Sequence, residues 1–158
     1  MSRVQLAINV SNIDEGVAFY SKLFATEPAK RKPGYANFAI ADPPLKLVLF
    51  EASEGGTLNH LGVETETADE VSAAEARLAG TGLETTGVDD TTCCFATKVE
   101  TWVEDPDGAR WEWYVKTGDS EQLVNETVGS DIATCCAGPA ATDDLATASV
   151  GAGETGCC

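Results

Sequence analysis

Six cysteines fall into three adjacent pairs, Cys93-Cys94, Cys135-Cys136 and Cys157-Cys158, and the chain has a single histidine, His60. Neighbouring thiols join to each other only through a strained ring, so these pairs are poor structural staples. A nucleophilic thiol needs electropositive surroundings, yet Asp89 and Asp90 stand just upstream of Cys93, and only one imidazole is available. That disfavours a Cys–His hydrolase. Two adjacent sulfurs can instead chelate one soft, thiophilic centre. The plainer alternative is two small buried residues of a strand.

The elements that must position these groups are legible from periodicity. "RVQLAINV" alternates, with Val4, Leu6, Ile8 and Val10 on one face and Gln5, Ala7 and Asn9 on the other, which predicts a strand. "SNIDEGVAFYSKLFA" has a capping residue at Ser11 or Asn12 and apolar residues at helical spacing. Strands follow at "YANFAIA" and "LKLVLFE", separated by the turn at Pro43-Pro44, and a further strand at "HLGVETE". "ADEVSAAEARLAGTG" reads as a second helix closed by glycine. "KVETWVE" and "ARWEWYV" read as strands flanking the turn "DPDG".

A shift of 55 residues lays Gln5 on His60, Asp14-Glu15 on Asp69-Glu70, and Leu23 on Leu78. The chain therefore reads as an α+β domain over residues 1–117, made of two βαβββ modules, about 1–55 and 56–117. Two such units side by side can curl their sheets around a shared cleft. With the helices covering the apolar faces, Gln5, His60 and Glu112 all point into that cleft. An amide oxygen, an imidazole and a carboxylate form a facial N/O set suited to a divalent ion such as Fe(II). "LKLVLF" offers no Asp, Glu or His, so a fourth protein ligand is not expected. Three ligands leave room for substrate at the metal. A lone histidine is by itself more often a packed residue. What favours the ligand role is its place at the repeat-equivalent of Gln5.

The formal net charge is −16, and it is uneven: residues 1–50 hold six basic and four acidic side chains, residues 51–158 four basic and 22 acidic. Such a field repels nucleic acid and anionic lipid. The opening "MSRVQLAINV" has no secretory pattern, and no stretch approaches the roughly 18 apolar residues of a membrane span, so a cytoplasmic protein is expected. In a reducing cytosol, cysteines more often bind metal or react than crosslink. After Tyr114 the chain has no aromatic residue and is rich in Gly, Ala, Ser, Thr and Asp. Residues 118–158 are expected to be a flexible acidic tail, with Cys135, Cys136, Cys157 and Cys158 as possible accessory thiols.

The first 117 residues resemble the vicinal oxygen chelate superfamily of glyoxalase, bleomycin-resistance and dioxygenase relatives. "RVQLAINV", "EPAKRKPGYANFAIADPPLKLVLFE", "GGTLNHLGVE", "TTCCFAT" and "GARWEWY" are similar to the group of ArsI carbon-arsenic lyases and cadmium-induced CadI proteins. That resemblance implies an Fe(II)- and O2-dependent enzyme that removes the organic group from trivalent organoarsenicals such as methylarsonous acid. It gives Gln5, His60 and Glu112 the iron-ligand and catalytic roles, and Cys93 and Cys94 the binding of arsenic. Arsenic(III) carrying one organic group has two positions left for sulfur, the number this pair supplies. Asn9 and Tyr114, on the cleft face, are expected to support the ligands. One departure stands out: the group's lysine two residues before the tryptophan is here Glu100, and Lys98 stands two places earlier. A small-molecule arsenical is the expected partner of a monomer or homodimer. The alternatives are a cadmium- or arsenite-inducible thiol protein without turnover, or a glyoxalase or extradiol dioxygenase on the same fold.

Overall fold

The computed structural model describes residues 2–123. Arg3–Val10 forms β1 and leads into helix α1, Ile13–Phe24. Asn12 caps this helix, its side chain accepting from the backbone N–H groups of Asp14 and Glu15. Three strands complete the first module: β2 (Lys30–Lys32), β3 (Tyr35–Ile40) and β4 (Leu45–Glu51). The second module repeats the order with β5 (Leu58–Glu64), α2 (Ala68–Gly80), β6 (Asp89–Cys93), β7 (Ala96–Glu104) and β8 (Arg110–Asp119). Thr67 and Glu70 close a reciprocal capping box at the start of α2.

The eight strands make one curled sheet in the order β2-β3-β4-β1-β5-β8-β7-β6, joined at its centre by the antiparallel pair β1–β5. Across that seam Gln5 pairs with Gly62 and Ala7 with His60. Shifting either pair by 55 residues exchanges it for the other, so a local twofold axis passes between them. The same relation extends outward. Ala7 pairs with Val48 in the parallel ladder β1–β4, and Gly62 pairs with Glu112 in β5–β8. Val48 is therefore the first module's counterpart of Glu112.

The helices cover the convex face. Ile13 and Val17 of α1 pack with Phe38, Ile40, Leu47 and Leu49, with Leu6, Ile8 and Val10 partly buried beside them. The concave face divides into an apolar wall (Ala7, Tyr35, Val48, Phe50 and Phe95) and a buried polar group around Gln5.

Two features were not legible beforehand. The short strand "KRK" of β2 carries no alternation of its own and exists by pairing with β3. The chain also stays folded past residue 117: β8 reaches Asp119, and the backbone carbonyls of Gln122 and Leu123 accept from Phe95 and Cys94 at 2.7 and 2.9 Å. The tail cysteines Cys135, Cys136, Cys157 and Cys158 lie outside the described residues.

Candidate metal centre

Gln5, His60 and Glu112 project from β1, β5 and β8 onto the concave face, all at most 4 % exposed. Gln5 Nε2 lies 2.9 Å from His60 Nε2 and 3.0 Å from Glu112 Oε2, and His60 Nε2 is 3.6 Å from that same Oε2. The amide donates one N–H to each partner, so the lone pairs of an imidazole nitrogen and a carboxylate oxygen converge on one point. Donors set at right angles, about 2.1 Å from a divalent ion, stand about 3.0 Å apart. The triangle of 2.9, 3.0 and 3.6 Å fits that facial arrangement. Half a turn of the amide would present Oε1 where Nε2 now stands and would turn Nε2 to the Tyr114 hydroxyl, which would then accept from it instead of donating to Oε1. Among the described residues no three His, Cys, Asp or Glu side chains gather into a metal-binding group; the trio depends on its amide.

Each member is held from behind. Asn59 Oδ1 lies 2.7 Å from His60 Nδ1 and accepts its N–H, which leaves Nε2 as the ring's lone-pair nitrogen. Asn59 also donates to Asn9 Oδ1 at 2.9 Å, and Asn9 donates to Thr57 Oγ1 at 2.9 Å. The ring of His60 is edge-on to Trp102, with centroids 5.3 Å apart. Tyr114 Oη donates to Gln5 Oε1 at 2.6 Å and accepts from Lys46 Nζ at 2.7 Å. Burial, with the charges of Glu112 and Glu64 nearby, pushes the Tyr114 hydroxyl far above the usual tyrosine range, so it stays protonated.

Glu112 Oε1, the oxygen turned away from His60, accepts from Lys98. Lys98 Nζ also lies 2.6 Å from Glu100 Oε2. Burial alone would raise the Glu112 carboxyl, but the Lys98 ammonium holds it well below the carboxylate range. Burial lowers Lys98, yet Glu112 and Glu100 more than reverse this and hold it above the usual lysine range. Glu100 is pushed up to about 7, chiefly by burial and by the charge of Glu112, with Lys98 opposing.

The cysteine pair sits at the end of the same cleft. Cys93 closes β6 opposite Ala96, and Cys94 with Phe95 makes the two-residue turn into β7. Both turn residues have positive φ, 57° and 59°, as a tight hairpin matching the twist of its strands requires. Cys93 is 1 % exposed. Cys94 is half-buried and lines the cavity shared by Gln5, His60, Glu112, Val48 and Phe50. Lys98 interacts electrostatically with both thiols.

Of the residues singled out from sequence, Gln5, His60, Glu112, Tyr114 and Cys94 line one cavity, whereas Cys93 is buried next to Cys94 and Asn9 lies outside the cavity lining. Tyr114 touches Gln5 directly, whereas Asn9 acts one bond further out, through Asn59. Four residues escaped notice as site members. Lys98 and Glu100 share the cleft face of β7, so a basic group displaced by one pleat still reaches the centre, and strand alternation alone would have placed it there. Lys46 lies on β4 beside Gln5. Asn59 is inserted by a bulge between the pairs Ala7–His60 and Ile8–Leu58. A bulge re-aims a side chain, and nothing in the sequence marked it.

Residues 3–113 match the Glyoxalase/Bleomycin resistance protein/Dioxygenase superfamily. The chain is 54% identical over 147 residues to cadmium-induced protein CadI of Mycobacterium tuberculosis (strain ATCC 25618 / H37Rv), covering 89% of this chain and 97% of the relative. It is 51% identical over 138 residues to the trivalent organoarsenical cleaving enzyme of Thermomonospora curvata, covering 86% of this chain and 89% of the relative. Among solved structures, the Mn(II)-bound glyoxalase of Novosphingobium aromaticivorans superposes with a TM-score of 0.55 at 18% identity, over 77% of this chain and 42% of that one, a likeness of fold alone. The chain belongs to the Glyoxalase/Bleomycin resistance protein/Dioxygenase superfamily, with relatives named cadmium-induced protein CadI and trivalent organoarsenical cleaving enzyme at 51–54% identity over most of its length.

Proposed function

We propose that this protein is an Fe(II)- and O2-dependent carbon-arsenic lyase, acting in the cytoplasm on trivalent organoarsenicals such as methylarsonous acid and releasing arsenite. The observation that carries this reading is the convergence of His60 Nε2 and Glu112 Oε2 on the Gln5 amide, in a cavity whose wall includes Cys94. The name of the Thermomonospora curvata relative supports the substrate class. Gln5, His60 and Glu112 would hold Fe(II), which when bound supplies activation of O2.

The chain's own residues do the rest. Cys93 and Cys94 take the arsenical by exchanging its two hydroxyls for two sulfurs, each thiol proton leaving as water. The organic group then faces the apolar wall of Tyr35, Val48, Phe50 and Phe95. Val48, standing where the twofold relation would put a second carboxylate, keeps that side of the centre free of a fourth protein ligand. Asn59 fixes the His60 tautomer, and Tyr114 fixes Gln5. One chain supplies all three ligands, so a monomer completes the centre, in a homodimer as in isolation. Among the described residues no helix is long and apolar enough to cross a membrane.

The test is direct: load the protein anaerobically with Fe(II), add methylarsonous acid, admit air and measure arsenite. No release by the iron-loaded protein refutes the proposal. The CadI relative favours a second reading, thiol sequestration of cadmium without turnover. That reading expects stoichiometric Cd(II) binding that is lost with the cysteines and survives His60→Ala.

A further inference from the structure

Lys98 is an unusual residue to find at this depth. It is 6 % exposed, its ammonium lies over the Tyr114 ring at 5.4 Å, and its two carboxylate partners, Glu112 and Glu100, are themselves at most 4 % exposed. A buried ammonium is stable only when such partners compensate its lost hydration. The division of labour on Glu112 is what matters. Oε2 faces Gln5 and His60, whereas Oε1 is taken by Lys98 in a charge-assisted bond.

We infer that Lys98 is a positioning residue that commits Glu112 to the metal centre through Oε2 alone. The inference rests on the proposed metal site. A carboxylate next to a divalent ion can bind through one oxygen or through both. With one oxygen, the three side chains occupy three positions of an octahedral ion and leave three open. With both, only two remain, too few to bring dioxygen and substrate to the ion with any exchangeable water besides. A buried lysine on Oε1 sets the first arrangement, because chelation would have to break the Lys98 bond inside a site where water cannot replace it. Lys98 does this from the face of β7 that also carries the thiol hairpin, one pleat from Ala96, the partner of Cys93. Glu100 holds the far side of the ammonium and keeps it from turning toward solvent.

Infrared difference spectra on adding Mn(II) to protein labelled with carboxyl-13C glutamate read the binding mode directly. One-oxygen binding widens the separation of the two carboxylate stretches relative to the free ion, and two-oxygen binding narrows it. A wide separation is expected in the wild type and in Lys98→Arg, and a narrow one in Lys98→Met. A narrow separation in the wild type overturns the inference while leaving the metal site standing. A wide separation in Lys98→Met overturns it as well, since the mode then does not depend on the lysine. If Mn(II) perturbs no glutamate band of the wild type, the metal site and this inference fall together. Should Lys98→Met not fold, Lys98→Gln, which also removes the ammonium, is read in its place: a narrow separation is expected and a wide one overturns the inference.

Discussion

Replacing Tyr114 by phenylalanine removes one oxygen atom and tests how the amide ligand is held. That oxygen donates to Gln5 Oε1 at 2.6 Å and accepts from Lys46 Nζ at 2.7 Å, and the residue is 1 % exposed. The ring itself stays, so its packing and the Lys46 ammonium 4.8 Å from its centroid are preserved. The loss is then confined to two hydrogen bonds. A neutral bond contributes about 0.5–1.5 kcal/mol and one to a charged group about 1.5–3, so the variant should lose roughly 2–4 kcal/mol. For a domain of this size that corresponds to a fall in Tm on the order of 10 °C. In the orientation shown Gln5 Oε1 is left without its donor, and with the amide turned to present Oε1 to a metal its Nε2 is left without the Tyr114 oxygen as acceptor, so the contact that fixes the rotation is lost either way. Mutating the partners that orient a metal ligand typically costs about 10–100-fold in affinity, and that loss is expected in a Mn(II) titration. The two readouts must move together. A Tyr114→Phe protein with wild-type Tm and wild-type Mn(II) affinity would refute the view that this hydroxyl anchors the ligand.

Other outcomes follow from the same geometry. Cys93→Ser/Cys94→Ser should abolish arsenite release and arsenical binding while leaving the Mn(II) titration unchanged; persisting release would remove the pair from the reaction. Val48→Glu places a carboxylate at the twofold counterpart of Glu112 and should tighten Mn(II) binding, lower the Tm of the metal-free protein and suppress cleavage; unchanged affinity would disprove the equivalence. Glu64 is raised by burial but lowered more by Lys46 and Arg3, so its pKa is depressed on folding. Its stabilising contribution is therefore complete above the unfolded carboxyl range near 4.3 and is lost as pH falls through the lower folded value. Glu64→Gln should be less stable at neutral pH and show a shallower acid loss of Tm below about pH 4.3; identical pH slopes would count against that ion pair.

Much of this arrangement could be read from period alone. Alternation put Gln5, His60 and Glu112 on one face because a strand's side chains point by turns to opposite sides, and the 55-residue repeat set the two modules against each other. The register across β1 and β5 expresses that repeat as a twofold axis. What escaped reading arises between strands. The bulge that delivers Asn59 to His60 is a misfit of two ladders and leaves no pattern in either segment. The ion pairs of Lys98 depend on how β7 sits on β8, which places Thr101 opposite Trp113 and Trp102 opposite Glu112. The strand β2 has no apolar rhythm because it lies at the sheet edge, where pairing on one side suffices.

The hairpin that carries the thiols has its own cost. Cys94 and Phe95 both adopt a left-handed backbone without being glycine, at about 1–2 kcal/mol apiece. The compensation comes from a distant part of the chain: Leu123 and Gln122 receive their two N–H groups, and Ser120 and Lys30 donate to the Phe95 carbonyl at 3.2 and 2.7 Å. The hairpin proposed to bind arsenic is thus fastened by the few residues that follow the last strand. A protein shortened to Asp119 would keep every strand and every candidate ligand, yet its sulfur-bearing bend would be untied, so the grip on arsenic would slacken while the hold on the ion stayed intact.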